Sequence, residues 1–352
     1  MHDRGSRVLS VALAVLSLML SSSFYLCYGE RVAAVAVEMP VISTAVLINT
    51  NSVKEVGTVF TKIEEGTELA DQGEPSEQQT KNTTSENTKE KKLGKVMSQF
   101  LSPYNANTSY NNIYVNNQSG KKINIKKLTA DFKTGVELKN ARPQVLIMHT
   151  HGTENYVKHK GDYYTQSDLV RTSNETQNVI GVGNRLAEVL EKGGVTVLHD
   201  KTLHDSPSYS GSYNRAAVTV QNYLKKYPSI KVVLDVHRDA IGSGDDLVKP
   251  VTEINGKQAA QVMICVGSET GSIDYFPNWQ ENLKLGLKLQ QTMEVMYPGL
   301  ARALYLSYEH SYNQDLHKGS IIIEFGTNGN NFEEAEYSAT LVGNSLVTLF
   351  KN

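Results

Sequence analysis

From residue 143 onward, short apolar runs alternate with longer segments in which apolar residues recur at helical spacing. The short runs predict strands at residues 145–148, 195–198, 232–236, 262–266, 304–306 and 321–324. The longer segments predict helices at residues 179–190, 215–227, 279–296 and 332–350, several of them followed by glycine or proline. Strands that alternate with helices predict an α/β fold, with a mostly parallel central sheet flanked by helices.

The N-terminus carries a second pattern, an apolar stretch at residues 8–28 without any charge. It is long enough to cross the ~30 Å of hydrocarbon in a bilayer. Arg4 and Arg7 precede it, which keeps the N-terminus in the cytoplasm and exports the rest of the chain. Ala33, Ala34 and Ala36 leave a cleaved signal peptide open as the alternative. We expect a single-pass anchor in the cell membrane, with the main domain extracytoplasmic.

These patterns divide the chain into successive regions. Residues 1–30 are the anchor or signal segment, and residues 31–65 are a short extracytoplasmic segment. Residues 66–109 are mostly polar, so we expect a disordered linker that cannot bury enough apolar surface to offset its ordering entropy. Residues 110–142 predict lead-in strands, one around Ile113 and Val115 and one around Ile123 and Ile125. Residues 143–352 form the main domain.

Composition and the absence of common motifs narrow the functional classes. The 352 residues carry a net charge of −2, so the basic surface that nucleic-acid binding requires is absent and we expect no nucleic-acid partner. Cys27 and Cys265 form neither a CxxC metal motif nor a disulfide framework. The sequence also lacks a Walker A loop, an HExxH helix, a GxSxG nucleophile turn and the Rossmann glycine pattern.

Chemically active residues stand where predicted strands end. His149 and His151 follow the first strand of the main domain, His237 follows a later one, and Glu324 ends the last. Residues two apart in an extended chain point the same way, so the first two histidines could share one ligand. Ligands of α/β sheets bind beyond the carboxyl ends of the strands. We therefore expect these side chains to meet at one edge of the sheet.

Glu175 stands just before the first predicted helix of the main domain. It is either an acidic residue favoured by the helix dipole or a metal ligand. Two histidines and one glutamate form the His₂Glu set that holds a catalytic zinc ion with one position open for water. We expect Zn²⁺ bound by His149 or His151 together with His237 and Glu175, and Glu324 acting as general base.

Several ordered motifs occur together in this chain. They are Val-Leu-Ile-Met-His-Thr-His-Gly-Thr-Glu-Asn-Tyr at 145–156, Asn-Val-Ile-Gly-Val-Gly-Asn-Arg-Leu at 178–186, Asp-Val-His-Arg-Asp at 235–239, Asn-Gln-Asp-Leu at 313–316, and Ile-Glu-Phe-Gly at 323–326 with Glu-Glu-Ala at 333–335. A chain with these motifs resembles the stage II sporulation protein P family. The resemblance covers roughly residue 110 to the C-terminus. The family is similar to the zinc-dependent N-acetylmuramoyl-L-alanine amidases, which implies an amidase-like fold here.

The resemblance implies a role for each candidate residue. Glu175 stands three residues before an asparagine, as the ligand glutamate of the amidases does. His237 matches the second histidine ligand and Glu324 matches the catalytic glutamate. The first histidine ligand stays open, because His151 fits the amidase spacing whereas His149 stands nearer the strand and the family carries both.

The resemblance also implies an activity and partners. It implies hydrolysis of the amide bond between N-acetylmuramic acid and L-alanine in peptidoglycan, with a further endopeptidase activity on peptide cross-links. The setting would be engulfment during sporulation. The partners would be peptidoglycan itself, the sporulation D transglycosylase and the sporulation M scaffold protein.

Other polar residues have two interpretations each. Arg238 either binds a substrate carboxylate bidentately or pairs with a neighbouring aspartate. Asn313, Gln314 and Asp315 either line the substrate groove or order a turn.

Two other functions remain open at the level of the sequence. A catalytically silent module on an amidase scaffold would bind peptidoglycan or a partner without cutting it. A carboxypeptidase with the same zinc site would also attack an amide carbonyl. The presence of every candidate ligand and of Glu324 favours a hydrolase, and the resemblance favours an amidase.

Overall fold

The computed structural model describes residues 91–158, 160–243, 245–269 and 275–351, together with the strands β1 (Val32–Val35) and β2 (Val46–Asn49). The chain divides into two compact units, Met1–Val59 and Phe60–Asn352. In the first unit β1 and β2 pair antiparallel. The predicted anchor at residues 1–30 lies outside the described residues, and none of the described helices combines the length and apolar character needed to cross a bilayer.

An eight-stranded sheet forms the centre of the second unit. The strands of this unit are, in chain order, β3 (Lys92–Gln99), β4 (Thr108–Tyr110), β5 (Ile113–Asn117), β6 (Val145–Met148), β7 (Tyr163–Thr165), β8 (Val197–His199), β9 (Val232–Asp239), β10 (Gly242–Ser243), β11 (Asp246–Ile254), β12 (Lys257–Ala260), β13 (Val262–Gly267), β14 (Leu304–Ser307) and β15 (Ser320–Thr327). The central sheet has the order β4-β5-β14-β13-β15-β9-β6-β8.

The central sheet is mixed, and the prediction of a mostly parallel sheet is corrected. β8, β6, β9 and β15 run parallel to one another, but β13 pairs antiparallel with β15. β14 and β5 then follow the direction of β13, and β4 reverses again at the edge. Parallel neighbours need a long crossover, usually a helix. β9 and β13 lie on either side of β15, and the chain passes between them through the antiparallel strands β10, β11 and β12 rather than through a helix. β13 therefore runs antiparallel to β15 and β9.

Five helices accompany these strands in the described part of the second unit: α1 (Ile125–Thr129), α2 (Val179–Lys192), α3 (Ser212–Lys226), α4 (Trp279–Met296) and α5 (Phe332–Phe350). The predicted bounds of α4 and α5 are confirmed, and α2 and α3 differ from the prediction by a few residues at an end. The strand predicted at Ile123 and Ile125 is wrong, because Ile125 begins α1. The Asn124 side chain accepts a hydrogen bond from the Lys127 backbone N–H and caps this helix.

A second sheet, in the order β10-β11-β3-β7 with β12 on β11, contains part of the predicted linker. Disorder was predicted over residues 66–109, but residues 92–99 form β3, residues 103–105 form a 3₁₀ turn and β4 begins at Thr108, so that part of the prediction is wrong. β3 pairs parallel with β11 and antiparallel with β7, and Val96 packs into a small buried cluster with Val157 and Leu247. The strands that pair with β3 are distant in sequence, so the composition of residues 92–99 could not reveal that they form a strand. Residues 66–90 lie outside the described residues.

The start of α2 is held tightly in place. The Asn178 side-chain oxygen accepts hydrogen bonds from the backbone N–H groups of Ile180 and Gly181. A Cβ atom at Gly181 would stand 1.8 Å from the carbonyl oxygen of Glu175 and 2.7 Å from the Phe332 ring. Only glycine therefore allows the first turn of α2 to pack against both the preceding loop and the first residue of α5.

Gly181→Ala should destabilise the protein by about 1–3 kcal/mol, although alanine is the better helix former, because the added methyl group overlaps a backbone carbonyl. Urea unfolding would measure the change as a lower midpoint at an unchanged slope. Glu191→Ala on the exposed side of the same helix is the control and should stay within about 0.5 kcal/mol of wild type. A Gly181→Ala protein as stable as the control would show that the turn can relax.

Candidate functional site

The carboxyl ends of three parallel strands meet at one edge of the central sheet. β9 lies between β6 and β15, with Met148 paired to Asp235 and Glu324 paired to His237. The chain leaves β6 into a buried turn at residues 149–155. All four candidate residues on these strand ends are buried, namely His149, His151, His237 and Glu324.

His151 and His237 face each other at this edge. Their ring centroids are 5.3 Å apart and the ring planes are nearly perpendicular, at 86°. His151 also stacks on Tyr209 at 4.4 Å and meets the edge of Tyr213 at 5.5 Å. Burial, followed by the nearby positive charges, lowers the pKa of His151 to about 2, so its ring is neutral at physiological pH. A neutral imidazole is the form that binds a metal ion.

His237 is oriented by a buried carboxylate. Its Nε2 lies 2.8 Å from Oδ1 of Asp235, in a contact that is not aligned as a hydrogen bond. Asp235 is itself fixed by Thr150, whose backbone N–H and hydroxyl donate to the two carboxylate oxygens at 2.9 and 2.6 Å. Burial alone would lower the pKa of His237, but the charge of Asp235 raises it to about 10.

Glu154 also belongs to this site, although no role was predicted for it from the sequence. Its Oε2 accepts a hydrogen bond from the Arg238 backbone N–H at 3.1 Å and lies 3.7 Å from Nδ1 of His237. Its Oε1 lies 3.8 Å from Nη2 of Arg171. Glu154 stands three residues after His151, and a tight turn closes between them through a 3.2 Å hydrogen bond from the Glu154 N–H to the His151 carbonyl. This spacing is the feature of the sequence that could have identified Glu154 as a site residue.

Glu324 is the buried acid of the site. Its Oε2 has no hydrogen-bond partner among the described residues. Burial raises the pKa of Glu324 to about 8, with the positive charge of His237 opposing this shift and the negative charges of Asp239 and Glu154 adding to it. A carboxyl group with a pKa in this range can both accept and return a proton near neutral pH.

His149 faces a different set of neighbours from His151. Its Nδ1 lies 2.9 Å from the Val236 carbonyl oxygen, and its Nε2 lies 2.8 Å from Nε2 of His199. Gly183 of α2 provides the space for both rings, since a Cβ there would stand 2.7 Å from Nε2 of His149. Both ring nitrogens are therefore engaged with the protein, and burial lowers the pKa of His149 to about 3.

Glu175 is engaged with residues other than His151 and His237: hydrogen bonds from Lys201 and Asn184, and to a lesser degree the charge of His149, lower its pKa. Its Oε2 accepts hydrogen bonds from Nδ2 of Asn184 at 2.7 Å and from the Lys201 ammonium at 2.9 Å. Its side chain is 41 % exposed, and none of its described hydrogen bonds or ion pairs reaches the two histidines. The residues that surround His237 are His151, Glu154 and Glu324.

Arg238 does not pair with a neighbouring aspartate carboxylate. Its Nε donates to the Asn155 carbonyl at 2.9 Å, and its Nη1 donates to the Asp239 backbone carbonyl at 3.4 Å. The carboxylate of Asp239 is occupied by Arg302, at 2.7 Å. The guanidinium of Arg238 is half-buried and has no ion pair with a described residue, so the substrate-binding interpretation stays available.

The segment 313–315 is engaged with the protein itself. Gln314 is buried, its Nε2 donates to the Cys265 carbonyl at 3.1 Å, and its Oε1 accepts a backbone N–H of β13. The Asn313 amide donates to the Tyr213 carbonyl at 2.8 Å. Asp315 lies in the following turn of 3₁₀ helix, Gln314–Leu316. These contacts support the interpretation that the segment orders a turn.

The donor types at the strand edge suit zinc. No three His, Cys, Asp or Glu side chains in the described part of the chain already stand in a metal-binding arrangement. However, Oε2 of Glu324 is a buried polar atom without a hydrogen-bond partner among the described residues, and such atoms are rare in a protein interior. Nε2 of His237 faces Asp235, so Nδ1, which lies 3.7 Å from Oε2 of Glu154, is the nitrogen left for a metal ion. His151, His237 and Glu154 together supply the two imidazoles and one carboxylate of a His₂Glu zinc set.

The comparison of the sequence with protein families identifies the chain. The model of the family described as stage II sporulation protein P (SpoIIP) matches residues 34–346. The chain belongs to the stage II sporulation protein P family. The stage II sporulation protein P of Bacillus subtilis (strain 168) is 32% identical over 206 residues, which cover 55% of this chain and 48% of that protein. The chain thus matches about half the length of this curated relative.

Two of the solved structures that are similar to this chain are bacterial amidases. One is the CwlD amidase of Clostridioides difficile in complex with the GerS lipoprotein, at 13% identity and a TM-score of 0.38, covering 59% of this chain and 98% of that one. Another is an N-acetylmuramoyl-L-alanine amidase of Clostridium difficile 630, at 16% identity and a TM-score of 0.36, covering 60% of this chain and 95% of that one. Both similarities are weak, so the family assignment rests on the sequence.

Asp235→Asn should lower the pKa of His237 in metal-free protein, because the Asp235 charge raises it to about 10. That value lies above the unfolded value of about 6.5. The pair therefore stabilises the metal-free fold fully below pH ~6.5, and this stabilisation is lost as the pH rises through about 10. NMR titration of the His237 ring and urea unfolding at pH ~6 and ~10, after chelation, would measure both effects. An unchanged His237 pKa in the variant would contradict this assignment.

Proposed function

We propose that this protein is a zinc-dependent peptidoglycan hydrolase that cleaves the N-acetylmuramoyl-L-alanine amide bond, with peptide cross-links as a second substrate. The observation that carries the proposal is the buried carboxyl of Glu324, which has an unpartnered oxygen and a raised pKa beside His237. Unpartnered, strongly perturbed acids in buried sites are typical of catalytic groups. Membership of the family supports engulfment during sporulation as the setting.

The proposed zinc ligands are His151, His237 and Glu154. Glu154 replaces Glu175 in this set, because Glu154 lies beside His237 whereas Glu175 is held by Lys201. When bound, zinc would polarise the scissile carbonyl and lower the pKa of a water molecule to about 7.

The chain's own residues supply the proton transfers and the orientation. Glu324 takes a proton from the attacking water and returns it to the leaving amine, for which its raised pKa suits it. Asp235 lies against Nε2 of His237, and Thr150 holds Asp235, which favours the ring orientation that leaves Nδ1 facing Glu154. Tyr209 covers one face of His151 and limits the access of bulk water on that side.

We place the protein at the outer face of the cell membrane, held by the N-terminal segment, with the sporulation D transglycosylase and M scaffold protein as partners. This part of the proposal rests on the apolar stretch at residues 8–28 and on the family.

A second candidate function is a silent peptidoglycan-binding module. The observation that favours it is the absence, among the described residues, of a ready-made group of three metal-binding side chains. The two functions differ in whether added zinc produces cleavage of purified peptidoglycan.

Glu324→Gln should lower kcat/KM on purified peptidoglycan by about 10²–10⁴-fold, because the general base is removed while the shape of the side chain is kept. Release of free stem peptides in the presence of zinc would be followed by chromatography. Zinc content and the unfolding midpoint should match wild type, which separates a chemical defect from a folding defect. Wild-type protein that binds zinc-supplemented peptidoglycan but cuts no bond would support the silent module instead.

Glu154→Gln should weaken zinc binding by at least about 10–100-fold. Loss of a residue that only hydrogen-bonds to a zinc ligand already weakens binding by about this factor, and loss of a ligand itself should weaken it at least as much. Glu175→Gln is the matched control and should keep wild-type affinity, because its carboxylate contacts Lys201 and Asn184. Competition with a chromogenic chelator would measure both affinities. The reverse ranking would return the ligand role to Glu175.

A further inference from the structure

Arg171 lies in a layered stack beside the proposed zinc ligands. Its guanidinium carbon is 4.5 Å from the centroid of the Tyr209 ring, and Tyr209 stacks on His151. The Arg171 side chain is 36 % exposed, so the guanidinium reaches both the stack and solvent. The Tyr209 ring therefore connects the partly exposed Arg171 with the buried His151.

Most of the hydrogen-bonding capacity of Arg171 is unused. Nη1 donates to the Asp205 carboxylate at 2.7 Å and to the Thr153 hydroxyl at 3.4 Å. Nη2 lies 3.8 Å from Oε1 of Glu154, which is longer than a hydrogen bond, and Nε donates to no described residue. A guanidinium has five N–H donors in a fixed fork, and this fork matches a carboxylate.

The position of Arg171 is fixed before any ligand arrives. Asp205 is buried, and the backbone N–H and hydroxyl of Thr153 also donate to it. The Tyr209 ring adds a cation–π contact on the guanidinium face. An arginine that is already ordered loses little conformational entropy on binding, so its contacts contribute more of their strength to affinity.

A second arginine contacts the same glutamate, since the backbone N–H of Arg238 donates to Oε2 of Glu154. Arg238 forms no ion pair with a described residue, and the charges of both Arg171 and Arg238 act on His151 and Tyr209. An anionic group beside His151 would therefore lie near two guanidinium groups, of which Arg171 is already paired with Asp205.

We infer that Arg171, together with Arg238, recognises a free carboxylate on the peptide part of the substrate, close to the bond that is cut. The inference rests on the proposed function, because it names which peptides that site prefers. Arg171 acts as a specificity-determining residue: it selects a peptide that carries a carboxylate over the same peptide that carries a neutral carboxamide at that position.

The test compares two muramoyl dipeptides that differ only in a carboxylate or a carboxamide on the second residue. Binding to the zinc-loaded full chain carrying Glu324→Gln would be measured by calorimetry, so that neither ligand is consumed. We expect the acid to bind at least about tenfold more tightly than the amide. Arg171→Met should remove this preference, and Arg171→Lys, which keeps the charge but not the fork, should keep only part of it.

Arg185→Met is the matched control. Arg185 has a similar exposure, 35 %, and is also ion-paired, but with Glu188 and Glu336. It should leave the preference for the acid unchanged. A purely structural role of Arg171 would weaken both dipeptides equally, whereas a role in recognition weakens only the acid.

Equal binding of the two dipeptides to the parent protein, or a preference that survives Arg171→Met, would overturn the inference. The proposed function is judged separately, by wild-type release of stem peptides from peptidoglycan. A protein that cleaves peptidoglycan but ignores the carboxylate keeps the proposed function and loses the inference. A protein that neither cleaves nor binds loses both.

Discussion

The parallel pairing of β6, β9 and β15 is the constraint on which the candidate site depends. It places three strand ends side by side, so residues separated by up to 175 positions in the chain (from His149 to Glu324) become neighbours. The pairing is itself reinforced by polar contacts at the same edge, since Thr150 after β6 binds the Asp235 carboxylate of β9. Disturbing that contact would therefore loosen both the sheet edge and the orientation of His237.

The same edge concentrates buried charge, which sets a second constraint. An isolated buried carboxylate is costly, so such groups need partners. Asp239 has Arg302, and Asp235 has Thr150 and the charge of His237. Glu324 has an oxygen without a partner, and its raised pKa expresses that cost. Asp235 and Asp239 are therefore paired at this edge, whereas Glu324 keeps a carboxylate oxygen without a partner among the described residues.

Much of the fold could be predicted because it depends on local periodicity. The bounds of α4 and α5 and the existence of the buried strands follow from apolar spacing. Strand direction could not be predicted, because the hairpins at β10 to β12 replace a helix between β9 and β13. β3 was missed for a related reason: its partners β7 and β11 lie far along the chain, whereas composition reports only on the segment itself.

The histidine pair shows where reasoning from the sequence reaches its limit. In an extended strand His149 and His151 would point the same way, but β6 ends at Met148 and the chain turns at residues 150–153. The turn directs His149 toward His199 and Gly183, and directs His151 toward His237. The turn also brings Glu154 back to the strand edge. The alternation of side chains in an extended strand therefore grouped His149 with His151. The turn instead separates the two histidines and places the carboxylate of Glu154 beside the site.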